Sequence, residues 1–332
     1  MRLFRLPNLP WDLPEDRDLM AVVAPAGSDP FAAWVAPLTV ASVVPQAARD
    51  DDGGVVMMDL VGEVEAHAKA SGTVAVTSAV AASVTALRTS YTSGAAGAYN
   101  VTINFTGSWT SALQDVFVAA ANRISAVIVG DLPNVKVGAV AVDDIVISAS
   151  LRAIDGAGGI LGQAGPTALR AGSKLPATAM MQFDSADAAS YQRQGLFDEI
   201  VTHEMLHAVG VGSIWATKAM LSGNGFIGKN AVAEYNKLVD GYAASHGRST
   251  RLANGTQLSK GAVPIETHGG AGTARAHWSE AVFDGEMMTG WLDTAPRAGM
   301  VADPMSAITT ASLKDLGYAV AAKPPTDFYI LG

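Results

Sequence analysis

Three residues near the middle of the chain have the types and the spacing of a metal site with a base beside it. His203 and His207 stand four positions apart in the stretch HEMLHAVGVGSIW, and Glu204 follows the first of them. On an α-helix this spacing puts both imidazoles on one face, where they can bind a single ion such as zinc. The glutamate then lies beside the ion and can take a proton from a water molecule. The pattern therefore predicts metal-assisted hydrolysis with Glu204 as general base.

Two ligands do not complete such a site, and the residues after the motif bear on the third. Gly210 and Gly212 predict that the helix ends there and that the chain turns sharply, as in proteases whose third histidine follows at once. The position that would carry this histidine is Ser213, so a third ligand must come from further along the chain. A short motif of this kind is also compatible with a structural helix that carries it by chance, or with a zinc site without catalysis.

Several downstream residues are possible third ligands. His246 lies where a helix is expected to end and is more consistent with capping that end. His268, in ETHGGAG, is chemically credible, and Glu234 offers a carboxylate on a predicted helix. His277 lies in ARAHWSEAVFDGEMMTG, where a methionine precedes a glycine turn about ten residues later. Such a methionine would provide a soft, apolar floor beneath three imidazoles.

The segments around the motif alternate between strand and helix patterns. Apolar residues alternate in YNVTINFTG and then recur at helical spacing, which predicts a strand followed by an amphipathic helix. Further strands are predicted in GAVAVDDIVISASL and in ATAMMQFD, from Ala177 to Asp184, directly before the helix of the motif. Helices are expected at Asn230 to Ala244 and at Ser306 to Leu316, the last closed by Gly317. This order indicates an α/β core with a looser C-terminal half.

Composition narrows the classes of protein and of metal site. The chain of 332 residues has no cysteine, so a metal must use His, Asp or Glu. Its net charge is −9 and it contains no basic run, so the sequence predicts no positively charged surface that would bind nucleic acid. The uncharged stretch 70–87 is too rich in Gly, Ser and Thr for a membrane span and is expected to be a buried helix or strand. The acid run RDDDGG at 49–54 is expected to be a solvated turn rather than a calcium loop.

Three sequence blocks, taken in order, carry a family resemblance. HEMLHAVGVGSIW, the later AHWSEAVFDGEMMTG and the closing MSAITTASLKDLGY resemble the leishmanolysin-like zinc metallopeptidases, particularly the bacterial members, over about residues 99–320. These proteins are metzincins in which an insertion separates the HExxHxxG motif from the third histidine. The resemblance implies one catalytic Zn²⁺ and Glu204 as catalytic base. The zinc ligands it implies are His203, His207 and His277, with Met288 as the methionine of the Met-turn.

The same resemblance implies an α+β, metzincin-like fold. It consists of a twisted, mostly parallel sheet with an antiparallel edge strand packed on helices, and a looser C-terminal subdomain of helices and loops. The resemblance also suggests that the strand before the active-site helix is the sheet edge that lines the cleft, where an extended substrate can pair. An ordinary core strand has the same pattern. The residues of this possible substrate edge are Met180, Met181, Gln182 and Phe183.

The activity implied by the resemblance is that of a zinc metalloendopeptidase acting on protein or peptide substrates. Two alternatives stay open: a zinc peptidase with Glu234 as its third ligand, and a non-catalytic adhesion or binding module on a peptidase scaffold. We expect an N-terminal region at 1–95, as a pro-region or accessory segment, a catalytic domain at 96–322 and a tail at 323–332. Secretion or cell-surface display is expected although no signal peptide is recognisable, because prolines and acids interrupt the N-terminus. The oligomeric state and any role for Ca²⁺ stay open.

Overall fold

The computed structural model describes the larger, C-terminal part of the chain and one short N-terminal strand. The described residues are 19–21, 87–157, 160–270, 272–293 and 299–332. The expectations for RDDDGG at 49–54 and for the stretch 70–87, apart from Leu87, lie outside them. In the part of the chain that is described, no helix is both long enough and apolar enough to cross a membrane.

The described residues form one six-stranded sheet, two small sheets and the helices around them. The strands of the main sheet are β1 (Leu19–Ala21), β2 (Ser90–Thr92), β3 (Val101–Gly107), β6 (Ile145–Arg152), β7 (Gly162–Arg170) and β8 (Pro176–Asp184). The small sheets contain β4 (Val135–Val137) with β5 (Val140–Val142), and β9 (Leu221–Ser222), β10 (Gly225–Phe226) and β11 (Val263–Pro264). The helices are α1 (Ser111–Val127), α2 (Ser185–Gln194), α3 (Phe197–Ala208), α4 (Lys229–Ser245), α5 (Glu280–Phe283) and α6 (Ala307–Leu316).

The main sheet is mixed, with most of its strands in one direction. Its order is β1-β7-β8-β6-β3-β2. The three strands β3, β6 and β8 pair in parallel, whereas β7 and β2 run opposite to their neighbours. The helix α1 lies in the crossover from β3 to β6, whereas β6 and β8 are parallel because the antiparallel strand β7 comes between them in the sequence. The fold is therefore α+β with a mostly parallel sheet, as expected of a metallopeptidase domain.

The prediction that the strand before the active-site helix forms a sheet edge is wrong. That strand is β8, and it pairs with β6 on one side and with β7 on the other. Its backbone groups are therefore already used by two neighbours, and a substrate cannot add to it as a strand. The residues that had been assigned to the edge are all buried in this interior strand: Met180, Met181, Gln182 and Phe183.

The helices α1 and α3 pack on each other and against the sheet. Thr110 caps the N-terminus of α1 by accepting a hydrogen bond from the Leu113 N–H at 3.2 Å. At the end of β8, Phe183 makes edge-to-face contacts with Phe117 of α1 and Phe197 of α3, at ring-centroid distances of 5.3 and 5.5 Å. Such aromatic contacts add to the burial energy of the rings. This cluster fixes the start of α3 relative to the sheet.

In the C-terminal half, α4 packs on α6, and one carboxylate joins them. Asp315 near the end of α6 accepts hydrogen bonds from the backbone N–H groups of Asn230 and Ala231 at the start of α4. A carboxylate there satisfies free N–H groups and is stabilised by the helix dipole. Both helices match their predicted ranges within one residue at each end, and Gly317 closes α6 with φ 103°.

The domain limits at residues 95 and 322 stay predictions, although strand pairing and packing extend across both. A boundary at residue 95 would separate β2 from β3, although the two strands pair along Ser90–Thr92. Within the predicted tail from residue 323, Tyr329 and Leu331 are buried in the core. Asp327, between them and α6, accepts a hydrogen bond from the Met305 N–H at 2.8 Å. The folded unit therefore includes Ser90 and extends to the end of the chain.

Candidate metal centre

The helix α3 carries the HExxH motif and is buried along nearly its whole length. Its exposed or half-exposed residues, Asp198 and Glu199, are in the first turn, where negative charge is favourable. Helical spacing brings the rings of His203 and His207 to a centroid distance of 4.6 Å. Both imidazoles are completely buried, so they require partners within the protein.

His277 completes a set of three imidazoles. Its Nε2 atom lies 3.2 Å from Nε2 of His203 and 3.0 Å from Nε2 of His207. All three side chains are 0% exposed. In a tetrahedral zinc site with Zn–N distances of about 2.0–2.1 Å, the ligating nitrogens are about 3.3 Å apart. The observed separations fit one ion among the three atoms.

The other ring nitrogens determine which tautomer each histidine adopts. Each Nδ1 faces a backbone carbonyl oxygen, which can only accept, so each Nδ1 carries the proton and donates it. Each Nε2 therefore presents a lone pair, and three converging lone pairs repel one another unless a cation lies between them. The carbonyls are those of Met287 for His203 at 2.6 Å, Val211 for His207 at 2.8 Å and Thr273 for His277 at 2.9 Å.

The electrostatics of the three histidines favour their neutral forms. Burial lowers the pKa of His277 to about 4. Burial lowers the pKa of His203 and His207 well below the usual range, and the neighbouring imidazoles lower it further. Neutral imidazole is the form that binds a metal ion. The set can therefore hold an ion without first losing protons at neutral pH.

Glu204 lies in the same buried region without any partner. Its side chain is 0% exposed, and neither carboxylate oxygen forms a hydrogen bond within the described structure. Burial raises the pKa of Glu204 well above its usual range. An unpartnered buried carboxylate is costly, and a metal ion with a water molecule beside it would supply the missing partners. The adjacent strand is β7, since a Cβ at Gly162 would lie 3.4 Å from Cγ of Glu204.

The helix ends where the two glycines had predicted a turn. The last helical residue is Ala208, and Gly210 adopts φ 113°. The Val211 N–H then donates to the Leu206 carbonyl at 2.9 Å, which closes the helix end. Ser213 donates its hydroxyl to the His207 carbonyl at 2.6 Å. The residue at the position of a metal ligand in the shorter motif thus serves to cap the helix.

Gly212 brings the two distant parts of the site together. It adopts φ 75°, and a Cβ there would overlap the carbonyl oxygen of Ala276 and lie 3.2 Å from Cε1 of His207. Because only glycine leaves room for this approach, the chain before His277 can lie directly against the turn after α3. The third imidazole is positioned by this close backbone contact.

The turn at Met287 and Met288 supports the site from a third segment. Both methionines are buried, and the Met287 carbonyl accepts the His203 Nδ1 hydrogen bond. The Met288 carbonyl accepts a hydrogen bond from the Trp278 N–H at 2.9 Å, which links the turn to the residue after His277. The turn therefore orients one histidine directly and the segment of another.

A buried carboxylate anchors this turn to α6. One oxygen of Glu286 accepts from the Met288 N–H at 2.6 Å. The other accepts from the hydroxyl groups of Ser306 and Thr309, both at 2.6 Å. Burial raises the pKa of Glu286, and these hydrogen bonds oppose that rise. Sequence reasoning missed Glu286, which stands directly before the two methionines of the turn.

The remaining candidates lie elsewhere. His268 is 86% exposed on its side chain and contacts Glu266. Glu234 forms a surface ion pair with Lys237 at 2.8 Å and is not among the residues that could share an ion with the histidines. His246 caps the C-terminus of α4, where its Nδ1 lies 3.0 Å from the Tyr242 carbonyl, as expected.

The comparisons with known proteins agree with the blocks seen in the sequence. The model of the leishmanolysin family matches residues 126–323, which include all three histidines, Glu204 and both methionines of the turn. The match begins inside α1 and covers more than half of the chain. No curated protein matches the sequence significantly.

Proposed function

Because the chain belongs to the leishmanolysin family, whose members are zinc metallopeptidases, we propose that it is a zinc-dependent metalloendopeptidase of the metzincin type. The observation that carries the proposal is the convergence of three Nε2 lone pairs beside the unpartnered carboxylate of Glu204. A group of three buried histidines that could bind a metal supports zinc as the cofactor.

In this proposal His203, His207 and His277 hold the zinc ion. Three protein ligands leave a further coordination position open, which is typical of catalytic zinc rather than structural zinc. When bound, zinc would activate a water molecule and polarise the carbonyl of the scissile peptide. The carbonyls of Met287, Val211 and Thr273 fix the three rings, and such outer partners also raise the basicity of the ligands.

Glu204 is proposed as the general base and then the general acid. Its carboxylate accepts the proton of the attacking water molecule and passes it to the nitrogen of the leaving amine. The raised pKa of Glu204 that burial produces suits a group that must hold this proton between the two steps. The base acts from the same helix as two ligands, so its position relative to the ion is fixed by helical geometry.

We further propose that β7, rather than β8, is the strand that an extended substrate joins. Gly162 at the start of β7 lies against Glu204. In the described structure, β1 pairs with β7 only at Ala168–Arg170, so the outer edge nearer to Glu204 carries no strand. Backbone hydrogen bonds to that edge would align a peptide past the general base.

The pairing of β1 with β7 supports an inhibitory role for the N-terminal region. Leu19–Ala21 occupies the far end of the same sheet edge that a substrate would use. An N-terminal region that pairs with this edge would compete with substrate, which is the behaviour of a pro-region. Removal of the segment before Leu87 is expected to raise peptidase activity, measured on a fluorogenic peptide; equal activity of both forms would contradict this role.

We also propose that the enzyme acts on proteins outside the cytoplasm, at the cell surface or after secretion. Leishmanolysin-like peptidases are often found there, and the absence of cysteine is compatible with an oxidising compartment. Separation of cells from medium, followed by detection of the chain with an antibody, tests the location; recovery in the cytoplasm alone would contradict it.

The decisive experiment replaces Glu204 by Gln. Glu204→Gln keeps the shape of the side chain but removes the base, so zinc content should be retained while casein hydrolysis falls by about two to four orders of magnitude. Unchanged hydrolysis would show that Glu204 is not the base. Activity of the unchanged protein should also be abolished by a chelator and restored by zinc, whereas a non-catalytic binding module would show none.

The ligand assignment is tested with paired histidine variants. His277→Ala should lose bound zinc, measured by atomic absorption, because two imidazoles hold the ion far less tightly than three. His268→Ala is the matched control and should retain zinc, since His268 is exposed. Glu234→Gln should likewise retain zinc; loss of zinc in this variant would instead favour a carboxylate third ligand.

A further inference from the structure

A second group of acidic residues lies next to the active-site helix and is not used by the proposed reaction. One carboxylate oxygen from each of Glu280, Asp284 and Asp293 lies within 4.8 Å of the other two. Oxygens bound to the same Ca²⁺ ion at about 2.3–2.6 Å are separated by at most about twice that distance. The three carboxylates are therefore close enough to share one ion.

Asp303 adds an independent observation, because its carboxylate is buried without neutralisation. Its side chain is 3% exposed, and its Oδ2 atom forms no hydrogen bond within the described structure. Its Oδ1 accepts a hydrogen bond from the Asp293 N–H at 3.2 Å, which places the carboxylate beside the backbone of one member of the acidic group. Asp303 also adopts φ 41°, a left-handed conformation that few residues other than Gly, Asn and Asp tolerate.

Two further carboxylate oxygens in this region are buried without partners. They are Oε2 of Glu280, at the start of α5, and Oε2 of Glu199, in the first turn of α3. The ion pairs of the described residues include none of Glu199, Glu280 and Asp303. Burial, together with the charges of Asp293, Glu199 and Glu280, raises the pKa of Asp303 to about 8. Buried carboxylate oxygens without such partners require protons or a cation.

We propose that Glu280, Asp284, Asp293 and Asp303 form a binding site for one Ca²⁺ ion, with Glu199 beside it. Carboxylate oxygens without any imidazole favour a hard cation over zinc. Several protein carboxylates in irregular geometry favour Ca²⁺ over Mg²⁺, which keeps most of its water ligands. The ion neutralises the buried carboxylates and gives the unpartnered oxygens the contacts they lack.

The position of the site explains what the ion would do. Glu199 belongs to the helix of the first two histidines, and Glu280 follows His277 closely. Asp293 follows the turn at Met288, and Asp303 precedes the residues that anchor Glu286. The Ca²⁺ ion thus connects the segments that carry and support the three imidazoles. Its role is structural, and it is separate from the proposed zinc chemistry.

The test measures Ca²⁺ binding and thermal stability of the full chain after removal of all metals and reloading with zinc. Calorimetric titration should show one Ca²⁺ bound per chain, and Ca²⁺ should raise Tm where equal Mg²⁺ does not. Asp303→Asn and Glu280→Gln should each weaken Ca²⁺ binding at least about tenfold, as loss of a ligand does. Asn tolerates the backbone conformation of Asp303, so the zinc content and the circular dichroism should be retained.

Because Asp284 is exposed, its substitution should not disturb folding. Asp284→Asn should nevertheless weaken Ca²⁺ binding. Asp143→Asn, in the other acidic group of Asp131, Asp143 and Asp144, is the matched control and should bind Ca²⁺ as the unchanged chain does. Absence of Ca²⁺ binding at millimolar concentration would overturn the proposal. Equal binding by Asp284→Asn and the unchanged chain would do the same, whatever the peptidase activity.

Discussion

At the scale of single residues, the chemistry of the site is divided between side chains and backbone. The types and spacing of His203, Glu204 and His207 indicate a metal site with a base, whereas His277 is implied by the family resemblance. The sequence does not identify the carbonyls of Met287, Val211 and Thr273 that fix the tautomers, because every residue has a carbonyl. Which carbonyl groups face the histidines depends on where the chain turns, and in a sequence it is glycine that indicates such turns.

Gly212 provides a prediction at this scale. Gly212→Ala introduces a Cβ that overlaps the Ala276 carbonyl at a φ of 75°, so the chain before His277 must shift. We expect a loss of about 1–3 kcal/mol in the free energy of unfolding, measured by denaturant titration, and weaker zinc binding. Gly247→Ala is the matched control, because Gly247 also has a positive φ, of 60°, but open space around it. The control should retain its zinc affinity; equal zinc affinity of both variants would contradict the assignment.

At the scale of elements, the sequence predicts the positions of helices more accurately than the positions of strands within the sheet. The helices α4 and α6 match because their periodicity and their end signals are local. The strand β8 was correctly found, but its place inside the sheet was not, because pairing partners are distant in sequence and an edge strand has the same apolar pattern. The antiparallel β7, rich in Gly and Ala, gave little strand signal of its own.

The junction of β8 and α2 depends on Asp184. Its buried carboxylate accepts hydrogen bonds from the N–H groups of Ile154, Asp155 and Gly156, each at 2.9 Å, and from that of Ala186 at 2.7 Å. Burial alone would raise the pKa of Asp184, but these four donors lower it below the usual 3.8. The stability that Asp184 contributes is therefore present above about pH 4 and is lost as the pH falls through its folded pKa.

Asp184→Asn should lower the free energy of unfolding by about 1–3 kcal/mol, because the amide directs a donor at N–H groups that need an acceptor. Urea titrations at neutral pH and near pH 3 measure the effect, which should shrink at the lower pH. Asp240→Asn, which removes only an exposed ion pair with Lys260, should change stability by about 0–1 kcal/mol. An Asp184→Asn effect no larger than that of this control would contradict the role.

At the scale of the whole molecule, metal binding and folding should be coupled. The three imidazoles come from α3 and from the segment at His277, while the turn at Met287 holds one of them. An ion that binds only the folded arrangement stabilises it, by about 2.7 kcal/mol at a free zinc concentration one hundred times Kd. Calorimetric scans at several buffered zinc concentrations should show Tm rising with zinc, and the rise should be absent in His277→Ala. A Tm independent of zinc would contradict the coupling.

The acidic group beside α3 could not be predicted from the sequence. Glu199, Glu280 and Asp303 lie in separate segments, and none of them belongs to a spaced acidic motif. Tertiary folding brings Glu199 and Glu280 close enough for their charges to act on Asp303. The RDDDGG run attracted attention because its acids are adjacent, yet adjacency in sequence is a weak guide to sites assembled by tertiary folding.

The contact between Gly212 and Ala276 has a consequence for how this chain can vary in length. The chain leaves the site after Gly212 and returns to contact the same glycine at Ala276. The segment between these two residues is therefore a long loop whose ends are held together. Doubling the length of a closed loop costs only about 0.6 kcal/mol in chain entropy. Exposed turns of this loop can therefore change in length without moving His277, provided that the Thr273 carbonyl that holds its ring stays in place, and substrate pockets can diverge there.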